Sequence, residues 1–136
     1  MKAISALVAN ALLLALVSTT LPEVRAADPL PSAMQGLWKV ENPLARRAGA
    51  GDWSIQINKT AADGSFEGKV SFNGLNCHGN EMPMKGSYNG TDLVIEIPNL
   101  GSCGASTATL KRTGGEHLFE GGMSHNPNIR EYLDAK

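Results

Sequence analysis

Aromatic residues are scarce: two Trp, two Tyr and three Phe in 136 residues. Charge of one sign is lacking as well. Twelve basic against thirteen acidic side chains give a net charge of −1, so there is no electrostatic case for a nucleic-acid or anionic-membrane partner. Cysteine is limited to two residues and histidine to three. His117 and His125 stand at no metal-ligand spacing from either cysteine, which sets zinc aside. No catalytic or cofactor signature occurs, and beyond the N-terminus no stretch shows an amphipathic helical period. A non-enzymatic protein without a cofactor is the expectation.

What is present begins with a targeting pattern. Lys2 is followed by an apolar run from Ile4 to Val17, then by polar Ser18-Thr19-Thr20, Pro22 and the small-residue pair Val24 and Ala26. This order of charge, apolar stretch and cleavage site reads as a signal peptide over 1–26. The run falls short of the roughly 18 to 20 residues that a spanning helix needs, so no spanning segment is expected in the mature chain. Removing Lys2 and Arg25 from twelve basic residues, and Glu23 from thirteen acidic ones, leaves ten against twelve. Residues 27–136 form one domain, with an extended arm at 27–35 and an ambiguous tail at 123–136. The compartment is periplasmic or secreted.

Alternation carries the rest. Gln35–Glu41, Trp53–Lys59, Phe66–Phe72, Met82–Tyr88, Leu93–Ile97, Thr107–Arg112 and His117–Gly122 each place apolar residues at every second position. Asp63-Gly64 and Asn89-Gly90 mark tight hairpin turns, the second of type I′. Ile129–Leu133 fits a last strand or one helical turn. The fold class is all-β: an antiparallel meander of seven or eight strands forming a small barrel. Strand directions alternate, so the three long connections fall at one end. Two of them hold Cys77 and Cys103. In an exported protein this placement predicts one disulfide. It closes a loop of about 27 residues, for an entropic stabilisation of about 3.5 kcal/mol.

Phe66-Glu67-Gly68, Met84-Lys85-Gly86 and Phe119-Glu120-Gly121 repeat a large apolar residue and a glycine on one face. Such glycines allow sharp coiling of a small barrel; the other reading is that they leave room for a ligand. Gly36-Leu37-Trp38 opening the first strand, with Asp63-Gly64-Ser65-Phe66-Glu67-Gly68 and the paired-loop cysteines, resembles calycin-type barrels, a group that includes avidins and periplasmic inhibitors of bacterial metalloproteases. The resemblance covers Gly36 to about Gly90. It implies a small exported barrel. On the inhibitor side it implies that the arm from Asp28 to Gln35 blocks a protease.

The candidate binding surface is the loop rim around the disulfide: Arg46, Arg47, Asn76, His78 and Asn99. The partner expected there is a secreted or periplasmic protein, such as a protease. A small-ligand carrier, a Cu(I)-binding periplasmic barrel and a structural envelope protein are the alternatives. The copper reading uses His78, Met82 and Met84, since imidazole and thioethers suit the soft ion. Against it, Met82 and Met84 occupy inward strand positions. Ser102, His78 and Glu81 share the rim, but nothing in their spacing requires a nucleophilic site.

Overall fold

The computed structural model describes residues 28–41, 50–73 and 78–136, with side chains in the last segment from Glu81 onward. Eight strands follow in chain order: β1 (Ala33–Val40), β2 (Ala50–Thr60), β3 (Ser65–Asn73), β4 (His78–Tyr88), β5 (Asp92–Ile97), β6 (Ser106–Arg112), β7 (Phe119–Met123) and β8 (Asn126–Ala135). Each pairs antiparallel with the next, and β8 returns to β1 to close the barrel. The all-β meander therefore holds, with a full eighth strand. The tail that sequence left between strand and helical turn is β8, paired from Ile129 with Val40 to Ala135 with Met34. Among the described residues no helix is long and apolar enough to cross a membrane.

β2 begins at Ala50 rather than Trp53 and β7 at Phe119 rather than His117, and two further boundaries differ from expectation. Ala33–Gln35, assigned above to the arm, belongs to β1. Met34 is fully buried, and Ser32 accepts a hydrogen bond from the Ile57 N–H at 2.8 Å. Residues 78–81, assigned to a loop, open β4. There the β3–β4 register slips: Val70 faces Met82, but Phe72 faces Gly79. Glu81 takes the extra step with φ 50°, and its N–H donates to Ser71 Oγ at 3.1 Å. Such a bulge breaks the strict alternation by which a strand is recognised.

Inward alternation builds the core. Trp38, Trp53, Ile55, Phe66, Val70, Met84, Leu93, Ile95, Leu110, Phe119 and Leu133 are all buried. The three repeated glycines serve coiling rather than open space. A Cβ at Gly68, Gly86 or Gly121 would overlap the carbonyl oxygen of Gln56, Val94 or Thr109 on the adjacent strand. Three rings also lie on inward glycines: Trp53 on Gly36, Trp38 on Gly51 and Phe66 on Gly86. Bare backbone opposite each ring lets few aromatics fill a closed barrel.

The strand directions define two ends. The connections β1–β2, β3–β4, β5–β6 and β7–β8 meet at one, called here the rim. The connections β2–β3, β4–β5 and β6–β7 meet at the base, where β1 starts and β8 finishes. At the base, the Asn89-Gly90 turn is not type I′, because Asn89 keeps a negative φ and only Gly90, at 98°, is positive. The Asn89 side chain instead accepts the Thr91 and Asp92 N–H groups at 2.9 and 2.7 Å. That local bond substitutes for the left-handed pair that the two-residue turn requires. Arg112 covers the base. It donates to Tyr88 Oη at 2.8 Å, lies 5.7 Å from the Phe119 ring centre and reaches Asp28 Oδ2 at 3.5 Å.

Candidate functional site

The rim half of the interior departs from an apolar core. β8 directs Ile129, Glu131 and Leu133 inward, and Glu131 is fully buried. Its inner-face partners are Trp38 on β1 and Gly121 on β7. Among the described residues neither carboxyl oxygen has a hydrogen-bond partner. Burial away from water pushes its pKa up to about 8, so the group is mostly a neutral acid at pH 7.

Aromatic rings line the same half. Trp38 stacks on Phe72 with centroids 6.4 Å apart at 15°, and Trp53 meets Phe72 at 6.3 Å and 57°. The two indoles differ in their polar ends. Trp38 Nε1 donates to the Asn73 carbonyl at 2.8 Å. Trp53 Nε1 is buried and has no acceptor among the described residues. Its ring lies on Gly36, and Glu131 stands opposite Trp38, two residues along β1 toward the rim.

His125, between β7 and β8, adds a third polar group. Its Nδ1 lies 2.9 Å from Ser106 Oγ, its ring meets Phe72 edge-on at 6.4 Å, and its buried Nε2 has no partner among the described residues. Desolvation lowers its pKa, so the imidazole is neutral at pH 7. A neutral acid, an indole N–H and a neutral imidazole thus face an aromatic interior. Side chains are packed around all of them, and none of their unpartnered atoms is reached by solvent. Ser106 Oγ is within hydrogen-bond reach of His125, but among the described residues no acid orients the imidazole, because its other nitrogen has no partner.

Of the residues singled out from sequence, Arg46, Arg47, Asn76 and Cys77 lie outside the described residues. Asn99 is exposed in the β5–β6 connection, and His78 opens β4 at the same end. Cys103 is in a single 3-10 turn, Gly101–Cys103, packed against the core at that end. The topology therefore gathers Asn99, His78 and Cys103 at the rim, as counting strands suggested. Met84 is core and Met82 packs against it. The bulge changes the phase of β4 between them and His78, which pairs with Asn73. Glu81 is exposed and pairs with Lys69 at 3.4 Å on the outer wall. Among the described residues, no three His, Cys, Asp or Glu side chains converge.

The arm and the rim occupy opposite ends. Asp28 is held by Arg112 at the base. Also toward the base, His117 Nδ1 and Asp134 Oδ2 are 2.7 Å apart. Burial works upward on the Asp134 pKa, but the bonds from His117 and from the Leu118 N–H outweigh it and hold it low.

Sequence reading missed Glu131, His125 and the distinct role of Trp53. The signal for Glu131 was present: continuing the phase of Ile129 and Leu133 puts it inside. The fold defines a small closed barrel of eight antiparallel strands. Comparison with protein families, curated proteins and solved structures gave no match.

Proposed function

We propose that this protein is an exported, non-enzymatic binding barrel that receives a small ligand through its rim end. One observation carries the reading: fully buried Glu131 and the Trp53 N–H, both unpartnered, on the inner face beside Trp38 and Phe72. A buried polar group without a partner costs on the order of 1–3 kcal/mol. A ligand that satisfies it recovers that cost. Binding sites for small molecules combine apolar walls with a few placed polar groups. The meander and Trp38 in the first strand agree with the resemblance to calycin-type barrels. Export rests on the signal pattern in 1–26, and a Cys77–Cys103 bridge would tie two rim connections together.

The protease-inhibitor reading asks one interface to use both the 28–35 segment and the rim. With Ala33–Gln35 committed to β1 and Asp28 at the base, those two parts point away from each other. The inhibitor reading is thereby narrowed to the rim alone, while the small-ligand reading requires the filled interior to open at the rim end. Native mass spectrometry of protein purified from a periplasmic expression host tests the proposal. A retained small mass, released on denaturation, is expected. No retained mass, together with no thermal shift from a metabolite library, overturns it. Protease capture abolished by Asn99→Ala would return the rim-inhibitor reading.

A further inference from the structure

We propose that the outer wall over β7, β8 and β1 is the interface of a two-fold dimer, in which a second copy of this chain docks turned end for end. This surface lies outside the barrel and is independent of any ligand within it.

The strand registers set nine outer-wall positions in three rows. Toward the rim lie Gly122, Arg130 and Lys39, on β7, β8 and β1 in turn. The middle row is Glu120, Tyr132 and Leu37. Toward the base come His117, Asp134 and Gln35, with Gln35 paired to Asp134 and His117 bonded to it at 2.7 Å. The middle row has an apolar centre. Leu37, 43% exposed, is the exposed large hydrophobic residue among the described ones. It stands across the β1–β8 pairing from Tyr132, whose ring meets the His117 ring at 4.6 Å. By contrast, β2, β3 and β4 present Gln56, Glu67, Lys69 and Lys85 to solvent. An apolar centre within a polar surround is the make-up of a protein–protein interface.

Charge along the wall selects the partner. The rim row carries two cations and the base row a carboxylate. Arg130 and Asp134 are 41% and 42% exposed, so both can reach across an interface. A two-fold axis lying in the interface along the middle row exchanges the two outer rows. Arg130 then meets Asp134 of the second copy, Lys39 meets its Gln35, and Leu37 and Tyr132 meet their own counterparts. Every such contact occurs twice. Shape agrees with charge. At Gly122 the rim row opens into a hollow of about 600 Å³, with Thr109, Lys111, Pro127 and Arg130 around it. A Cβ at Gly122 would meet only the Ile129 carbonyl oxygen, at 3.5 Å. The same rotation carries His117 of the second copy over this hollow.

An axis along the strands instead would set Arg130 on Arg130 and Asp134 on Asp134, which like charge opposes. In the end-for-end arrangement the like-charged meeting within the three rows is Glu120 with its counterpart, and Arg130 at 3.4 Å offsets it. Asp52, beside Leu37 on β2, lies beyond the three strands, where two convex walls diverge.

Sedimentation equilibrium of the mature, oxidised protein at pH 7, from about 1 to 100 micromolar, tests the proposal. A reversible monomer–dimer equilibrium with nothing larger is expected. Leu37→Glu sets charge against charge on the axis and should weaken the dimer at least about tenfold. Lys39→Glu should weaken it too, by bringing a second carboxylate to the base row of the other copy. Adding Gln35→Lys to that variant should restore the dimer. Positions 35 and 39 are about 13 Å apart along β1, too far to pair within one chain, and they meet only across the end-for-end axis. Lys69→Ala on β3 should change nothing, and thermal melts show whether each variant is folded. A monomer throughout overturns the proposal. A dimer indifferent to Leu37→Glu or to Lys39→Glu overturns the choice of surface. Failure of Gln35→Lys to restore it overturns the orientation, and open-ended growth with concentration overturns the two-fold closure. The measurement on the parent protein needs no variant to fold.

Discussion

Replacing Glu131 with glutamine should change how stability depends on pH. The carboxyl has a pKa of about 8 in the folded barrel, against 4.5 for an ordinary glutamate. Because the folded value is raised, the folded state holds a proton that the unfolded chain gives up between these two values. Stability is therefore lost as pH rises through that interval and becomes flat above it. At about 1.36 kcal/mol per pH unit, the loss is about 3.5 kcal/mol from pH 5 to pH 8, and about 1.6 kcal/mol of it lies above pH 6.5. A small domain has on the order of 5–15 kcal/mol in total. His125 acts with the opposite sign and elsewhere on the scale. Its pKa is lowered by burial, so its effect is a loss of stability as pH falls below about 6.5. Asp134, held low, contributes only in still more acid solution. The interval from 6.5 to 8 thus isolates Glu131. Urea unfolding of the mature, ligand-free protein, followed by tryptophan fluorescence at pH 5 to 9, measures the slope. Glutamine has nearly the same shape and cannot ionise, so the variant should be flat from 6.5 to 8 and more stable than the parent at pH 8. Parallel curves for parent and variant across that interval would refute the argument.

Gly36→Ala should cost about 1–3 kcal/mol, as overpacking does, because the new methyl overlaps the Trp53 indole; a shifted tryptophan emission should accompany the lower urea midpoint. Tyr88→Phe removes the Arg112 bond and the Tyr88 bond to the Gly90 carbonyl at 2.8 Å; about 1–2 kcal/mol of stability should go with them, while binding at the rim stays unchanged. Peptide mapping without reductant should recover Cys77 joined to Cys103, and reduction should lower stability by about 3.5 kcal/mol or less; two free thiols in the periplasmic product would remove the bridge from the proposal.

Architecture was legible because its cause is local. Trp53, Ile55 and Ile57 face one way and Ser54, Gln56 and Asn58 the other, and such alternation needs no knowledge of neighbours. Counting directions then put Asn99, His78 and Cys103 at one end. What stayed hidden depends on pairing across the sheet. The β4 bulge exists only in relation to β3, so the start of that strand read as loop. Tyr132 and Glu131 invert the usual sides in β8, one turned outward toward Lys39 and His117, the other inward. Alternation read by polarity alone therefore failed there. The missing acceptor of the Trp53 N–H cannot be seen in any sequence, because the same residue type at Trp38 has one. Arg46 and Arg47 drew attention as a charge pair in a long connection and lie outside the described residues, whereas the polar groups that most need explaining are those shut inside.

The seam between β1 and β8 has a consequence for the order of assembly. Its partners, from Val40 with Ile129 to Met34 with Ala135, are roughly 90 to 100 residues apart, and contacts that distant form slowly because the intervening chain must first be ordered. Until β8 arrives, β1 and β7 are open edges able to pair with other chains. The last strand also carries Glu131, so closure and desolvation of the acid coincide. Above the ordinary glutamate range a carboxylate must take up a proton in the course of closure, which ties the stability of the closed barrel to pH. Synthesis imposes the same order, since the strand that ends the exposure of both edges is the last to be made.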